Sequence, residues 1–433
     1  MCTVFVPGLA PRRIVSGTIR KSARLTRAGV TRISLNTEYF PLPPTHEEAI
    51  SVSAVLAAAR RHIKADIAFL AEFRGESEII RKLDGNGAAV GLHEGSVLPL
   101  VETYCYHVVN GSVPRLVPDS SADERVRDLP TTQRLNIGAY LGTPIRFGDG
   151  RVYGMLCCIS HEADPSIQDR DIKLIEILAE IIGEQLALEE DRSAATHDMR
   201  ARIRGIIDHT GLRMVFQPIV DLGSREVVGY ESLARFDAEP HRPPNKWFAE
   251  AWQVGLGIQL EILAVRAALA RLSDLPSPFY LSVNVSPATL QSEMFSEAIA
   301  GADSRRIVVE VTEHDAIDEY LPLLQAVSRL NAEGFRLAID DVGTGYSGLS
   351  HIVQVRPGIL KLDMSLTRGV HTDPGKQALA AATAAFAARM QMQVIAEGIE
   401  SAEDAMALQV LGIPFGQGFL YGHPSELPEM SSE

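Results

Sequence analysis

The chain has 433 residues, 46% hydrophobic and 22% charged, a balance that argues against a disordered, collagen-like or coiled-coil protein and leaves room for two or three domains. Its 41 basic and 55 acidic residues give a net charge of -14, which argues against a sequence-independent grip on duplex nucleic acid. Cys2, Cys105, Cys157 and Cys158 stand at no metal-ligand or disulfide-framework spacing, and no apolar run approaches the roughly 20 residues of a transmembrane segment.

In chain order, residues 1 to 44 carry Arg12, Arg13, Arg20, Lys21, Arg24, Arg27 and Arg32 against one acid, Glu38, and end in Pro41-Leu42-Pro43-Pro44. This reads as a basic, solvated arm closed by a stiff breaker. The start lacks a sustained apolar core ahead of a small-residue cleavage site, so the expected location is the cytoplasm. From 45 to 190 the pattern mixes a helical stretch (Ala49 to Ile63), a strand (Ile67 to Phe73) and a last strand (Tyr153 to Ile159). Asp149-Gly150 between two apolar runs signals a hairpin, so the sheet of this α+β module is expected to be antiparallel.

Tyr104-Cys105, Asn110-Gly111, the run Leu135 to Pro144, Asp149-Gly150 and Gly154-Met155-Leu156-Cys157 together resemble a GAF sensory domain. The resemblance implies an antiparallel sheet backed by helices, with a pocket for an unidentified small-molecule ligand. Cys105, His107, Cys157 and Cys158 raise a redox or haem sensor as another reading, although buried structural cysteines account for them more simply. Between 170 and 207, Leu174, Leu178, Ile181 and Ile182 alternate with Glu176, Glu180 and Glu184, which predicts a one-sided connecting helix overlapping the end of the module. Such a helix is placed to pair with its copy in a homodimer.

From 208 to 433 short apolar runs alternate with helical patterns: Val215 to Val220, Val227 to Leu233, Phe279 to Val285, Arg306 to Val311, Arg336 to Ile339, Ile359 to Leu362, Gln393 to Ala396 and Phe415 to Leu420. Eight strands in that length predict an α/β, TIM-like (β/α)8 barrel. Polar residues recur at one end of the runs: Glu231, Asn284, Glu310, Asp340, Asp341, Lys361, Glu397 and Gln417. A single acid there is usually a cap, but the recurring set would converge on one barrel face as an acidic cup. Crowded carboxylates require cations, and an all-oxygen donor set suits Mg²⁺ or Mn²⁺, two ions about 4 Å apart in the arrangement used for phosphoryl transfer. Asp341-Val342-Gly343-Thr344-Gly345-Tyr346 lacks the Lys-Ser/Thr ending of a P-loop and reads as an active-site turn.

Gln217-Pro218-Ile219, Glu231-Ser232-Leu233-Ala234-Arg235, Asn284-Val285-Ser286-Pro287, Glu310-Val311-Thr312-Glu313, Asp340-Asp341-Val342-Gly343, Lys361-Leu362-Asp363, Glu397-Gly398-Ile399-Glu400 and Gln417-Gly418-Phe419 occur in an order that resembles the EAL-domain phosphodiesterases. The resemblance implies hydrolysis of cyclic di-GMP to linear pGpG on a modified barrel whose first strand runs antiparallel to the others. It implies that Glu231, Asn284, Glu310 and Asp340 hold one metal, and Asp340 with Asp341 the second. Lys361 and Glu397 would orient and deprotonate water, while Gln217, Arg235 and Gln417 would serve the substrate. Glu313 would anchor the loop at Asp341-Val342-Gly343, where family members dimerise. Three residues depart from the family: Ser232 for alanine, Val342 for phenylalanine and Trp252 for glutamate, with expected effects on rate and regulation rather than on chemistry. A non-hydrolysing cyclic di-GMP receptor is the alternative, and the intact metal and water apparatus argues against it.

Overall fold

The computed structural model describes residues 51–209, 211–312, 320–343 and 348–427. The basic arm and Glu313 lie outside the described residues. The first half runs α1 (Val52–Ile63), β1 (Ile67–Arg74), β2 (Ser77–Gly85), β3 (Val97–Pro99), α2 (Tyr104–Val109), β4 (Leu116–Val117), α3 (Pro130–Arg134), β5 (Ala139–Arg146) and β6 (Val152–Ser160). Its strands form one sheet in the order β3-β2-β1-β6-β5-β4, with every pairing antiparallel, as the hairpin signal predicts. At the β5–β6 turn Gly150 adopts φ +87° and the Asp149 carboxylate accepts the Arg151 N–H at 2.9 Å, which is why that dipeptide stands there.

Each face of the sheet buries its own core. Val55, Leu56, Ala59 and Ile63 recur at helical spacing on α1 and pack with Leu70, Leu141 and Leu156. The opposite core holds Phe69, Tyr104, Tyr140, Cys105 and Cys157. Cys105, Cys157 and Cys158 are all buried, and burial pushes the Cys105 thiol well up. The Cys105 and Cys157 sulfurs meet at 3.4 Å within that core, whereas His107 bonds the Ser112 hydroxyl at 3.1 Å near the surface.

The connecting helix α4 (Asp169–His209) is one continuous element, longer at both ends than the periodicity predicts. Its buried stripe in the first half is Ile175, Ala179, Ile182 and Gly183, with Leu174, Leu178 and Ile181 half-buried beside it. The stripe turns towards the small residues because the helix lies close on β5: a side chain at Gly183 would meet the Arg146 carbonyl at 2.4 Å. Residues 188–198 are exposed, and Ile203 and Ile206 enter a core of the second half.

That half is a closed barrel of β7 (Leu212–Asp221), β8 (Val227–Phe236), β9 (Tyr280–Asn284), β10 (Ile307–Thr312), β11 (Arg336–Val342), β12 (Ile359–Leu362), β13 (Gln393–Ala396) and β14 (Phe415–Gln417). β7 pairs antiparallel with both β8 and β14, and every other neighbouring pair is parallel. The helices outside are α5 (Pro244–Gln253), α6 (Gly257–Leu269), α7 (Pro287–Leu290), α8 (Glu293–Ile299), α9 (Tyr320–Ala332), α10 (Gly348–Val355), α11 (Met364–Thr367), α12 (Pro374–Arg389) and α13 (Ala402–Val410). Two large apolar clusters fill the space between strands and helices, and a small one, containing Ile219, Val308, Ala338, Ile359 and Ile395, plugs the barrel interior.

On α13, Asp404 is buried and accepts the N–H groups of Gly369 and His371 and the His371 ring. Burial alone would raise its carboxyl, but these donors outweigh it and hold the pKa at about 2, below its ordinary 3.8. A depressed carboxyl stabilises the fold above its unfolded pKa and loses that contribution as the pH falls through the folded value. Asp404→Ala is therefore expected to cost about 2 kcal/mol at pH 7, and the gap in urea midpoint between variant and wild type to narrow from pH 4 towards pH 2.

Candidate active site

The barrel's period-two pleat builds the site. Residues two apart on a strand share a face, so one layer above the apolar plug the same strands present Gln217, Glu310, Asp340, Lys361 and Glu397 above Ile219, Val308, Ala338, Ile359 and Ile395. Gln417 stands likewise above Phe415. Register brings Asn284 beside Glu310 and Glu231 opposite Gln217. Residues from all eight strands thus meet at the end of the barrel where such folds place their chemistry.

Lys361, fully buried, is the centre. Its Nζ lies 2.7 Å from Glu310, 2.7 Å from Glu397, 3.3 Å from Asp340 and 3.5 Å from Glu231. Burial would depress the ammonium's pKa, but the carboxylates outweigh it and raise it well above its usual value, keeping Lys361 charged. Burial pushes Glu310 well up and Glu397 to about 8, against the pull of Lys361. At Glu231 burial is overcome by Lys361, by the Asn284 amide donating at 2.9 Å and by Gln417 donating at 2.5 Å, so its carboxyl lies below its usual range. Gln217 sits one step back, accepting from Gln417 at 2.9 Å and donating to the Gly422 carbonyl at 3.1 Å.

Asp340 and Asp341 are adjacent, and a regular strand would point them to opposite faces. The β11–β12 register shifts between Ile339 and Val342, and Asp341 takes φ +58°, a left-handed conformation that aspartate tolerates. This irregularity lets both carboxylates serve the cup. Oxygens of Glu231, Glu310 and Asp340 lie within 4.8 Å of one another, as do those of Asp340, Asp341 and Glu397, and Asp340 belongs to both groups.

These residues fit divalent cations. Five carboxylates share the cup with one ammonium, the donors are all oxygen, and two buried atoms, Glu310 Oε1 and Gln417 Oε1, have no hydrogen-bond partner. With Nδ2 bonded to Glu231, the Asn284 side chain keeps its oxygen as a further donor atom.

Beside the cup opens a cavity of about 550 Å³, bordered by Arg235, Asn245, Trp252, Asn284 and Ser286. Arg235 donates to the Ala234 carbonyl, and burial with the nearby Arg213 lowers its pKa, a setting that welcomes an anion. Sequence reasoning missed Glu261, a buried acid in the apolar run of α6, which accepts from the Trp252 indole at 2.9 Å and from the Ser286 backbone and hydroxyl at 2.8 and 2.9 Å. Its only signal was a lone acid between Leu260 and Ile262.

Residues 200–424 match the EAL domain and residues 51–186 the GAF domain. The chain belongs to the EAL domain family. It is 30% identical over 238 residues to the probable cyclic di-GMP phosphodiesterase PdeI of Escherichia coli, covering 51% of this chain and 30% of that protein. It is 27% identical to the cyclic di-GMP phosphodiesterase RocR of Pseudomonas aeruginosa, covering 65% of this chain and 79% of that one. The solved structure of the EAL enzyme Bd1971 in its cAMP- and cyclic di-GMP-bound form shares the fold, with a TM-score of 0.51, 19% identity and coverage of 84% of this chain and 91% of that one. The chain spans 30 to 39% of the length of the first curated relatives it matches.

Within the EAL domain, Ser232 replaces the motif's alanine yet leaves no unsatisfied hydroxyl, since Oγ donates to the Ser282 carbonyl at 2.6 Å, pointing away from the cup. Ser232→Ala is expected to keep the rate of the reaction proposed below within about twofold and to cost about 1 kcal/mol of stability, read as kcat and thermal midpoint. Among the described residues no helix is long and apolar enough to cross a membrane.

Proposed function

We propose that the chain hydrolyses cyclic di-GMP to linear pGpG, with residues 208–433 as the phosphodiesterase barrel, 45–190 as a GAF sensory unit and 170–207 as the connecting helix. The observation that carries this reading is the acidic cup around Lys361 in an EAL domain. Glu231, Asn284, Glu310 and Asp340 would hold one Mg²⁺ or Mn²⁺, and Asp340 with Asp341 a second. When bound, such ions supply Lewis-acid stabilisation of phosphoryl charge and a more acidic water.

The chain's own groups divide the remaining work. Lys361 holds Glu310 and Glu397 at fixed positions through its 2.7 Å bonds. Glu397 takes the proton of the attacking water, whose oxygen forms the new bond to phosphorus as the bond to the 3′-oxygen breaks. Gln417, backed by Gln217, fixes Glu231, and Arg235 meets a phosphate or a guanine edge from the cavity wall. The same reading places a homodimer in the cytoplasm, with a small-molecule ligand of the GAF unit setting its rate.

The experiment is hydrolysis of cyclic di-GMP by the full chain with Mg²⁺, Mn²⁺ or chelator, following pGpG by chromatography. Metal-dependent pGpG is expected. Tight binding of cyclic di-GMP without turnover would make the protein a receptor, and neither binding nor turnover would end the reading.

A further inference from the structure

Helix α5 has two working faces. Trp247 and Ala251, at i and i+4, are fully buried against Ile203 and Ile206 of α4, whereas Asn245 and Trp252 lie on the opposite side and border the cavity beside the cup. α4 also grips this helix by charge: Arg202 reaches Glu250 at 3.5 Å, and Arg242 binds the same carboxylate while its guanidinium covers the Trp247 ring at 3.8 Å. The other end of α4 is built into the GAF core through Ile175, Ala179 and Ile182. Ile182 and Ile203 are 21 residues apart on an unbroken helix, about 30 Å of rigid rod between the two cores.

From α5 the contacts continue to the cup. The Trp252 indole donates to Glu261, and the other oxygen of Glu261 takes both the N–H and the hydroxyl of Ser286. Ser286 lies two residues beyond Asn284, whose amide holds Glu231. A carboxylate so buried and fully engaged cannot change one partner's place without moving the other.

We propose that α5 is the element through which α4 acts on the active site, with Trp252 and Glu261 as the positioning residues that carry its placement to the Asn284 turn. The role in hydrolysis rests on the cyclic di-GMP reading; the mechanical link does not. A shift of α4 moves α5 as a body, because packed cores transmit displacement rather than absorb it. The front of α5 then changes the cavity's width, and Glu261 changes the reach of Asn284. The glutamate-to-tryptophan departure at 252 thereby gains a purpose: an indole N–H can bond Glu261, where a second carboxylate would repel it.

The test uses the full chain and its two tryptophans. Trp247 is 0% exposed and Trp252 is 40% exposed, so iodide quenching reads Trp252. Arg202→Ala, which releases the latch on α4, is expected to change the Trp252 quenching constant, to raise KM for cyclic di-GMP about threefold to tenfold and to lower kcat about twofold to fivefold at an unchanged thermal midpoint. Arg202→Lys restores both in part, and Glu261→Gln moves KM in the same direction. Wild-type quenching and KM in Arg202→Ala would overturn the proposal, as would a loss of kcat that merely follows a fall in thermal midpoint. If the wild type hydrolyses no cyclic di-GMP, the phosphodiesterase reading fails, and the quenching constants alone decide the link between α4 and Trp252.

Discussion

Asp340→Ala is expected to abolish the proposed hydrolysis of cyclic di-GMP while leaving the barrel folded. Asp340 is the one carboxylate common to both acidic groups, so its loss removes a donor from each prospective cation at once. Divalent cations contribute several kcal/mol of stabilisation to a phosphoryl-transfer transition state, so the expected loss in kcat is about 10³-fold or more. The fold tolerates the change because Asp340 lies at the open end of β11, half-buried, above an apolar plug that the substitution does not touch. Pre-steady-state and steady-state assays of pGpG formation, with circular dichroism and thermal midpoint as controls, make the comparison. Glu231→Ala is expected to match the loss of turnover, since it removes the group that Asn284, Gln417 and Lys361 all hold. Normal turnover by either variant would overturn the metal assignment.

Lys361→Met is expected to be as severe for turnover and, unlike Asp340→Ala, severe for stability. Lys361 is fully buried, and its ammonium is within 3.5 Å of four carboxylates. Removing one partner from a buried ion cluster leaves uncompensated charge and costs about 3 to 5 kcal/mol. Divalent cations would repay part of that loss, so the rise in thermal midpoint on adding Mn²⁺ is expected to be larger in Lys361→Met than in the wild type. Hydrolysis is not expected to return with the metal, because Glu397 would have lost the ammonium that fixes it. A variant equal to the wild type in chelator would show that Lys361 does not neutralise the cup.

The placement of the cup's residues was legible in the sequence. Glu310 and Lys361 lie within, and Glu397 just after, short apolar runs of strand length, and on the strands those runs form they stand above Val308, Ile359 and Ile395. The antiparallel pairing of β5 with β6 followed from Asp149-Gly150, a turn signal between two apolar runs. Both are local facts, decided by residues a few positions apart. The connecting helix was equally clear as an element, but its buried side was only partly so: periodicity favoured Leu174, Leu178, Ile181 and Ile182, of which only Ile182 belongs to the stripe with Ile175, Ala179 and Gly183 that close approach to β5 selected.

By itself, then, the sequence indicated the eight strand runs of the barrel and that acids, a lysine and two amides recur at one end of them. Only the tertiary structure decided the irregularity that turns Asp340 and Asp341 to the same cup, the seating of Lys361 among four carboxylates, and the bond from Trp252 through Glu261 to Ser286. The physical reason is range. Backbone propensity and alternation act over a few residues, but the charge balance of a buried site and the facing of one helix against another depend on groups as far as 186 positions apart, the separation of Glu231 and Gln417, brought together by the closure of the barrel.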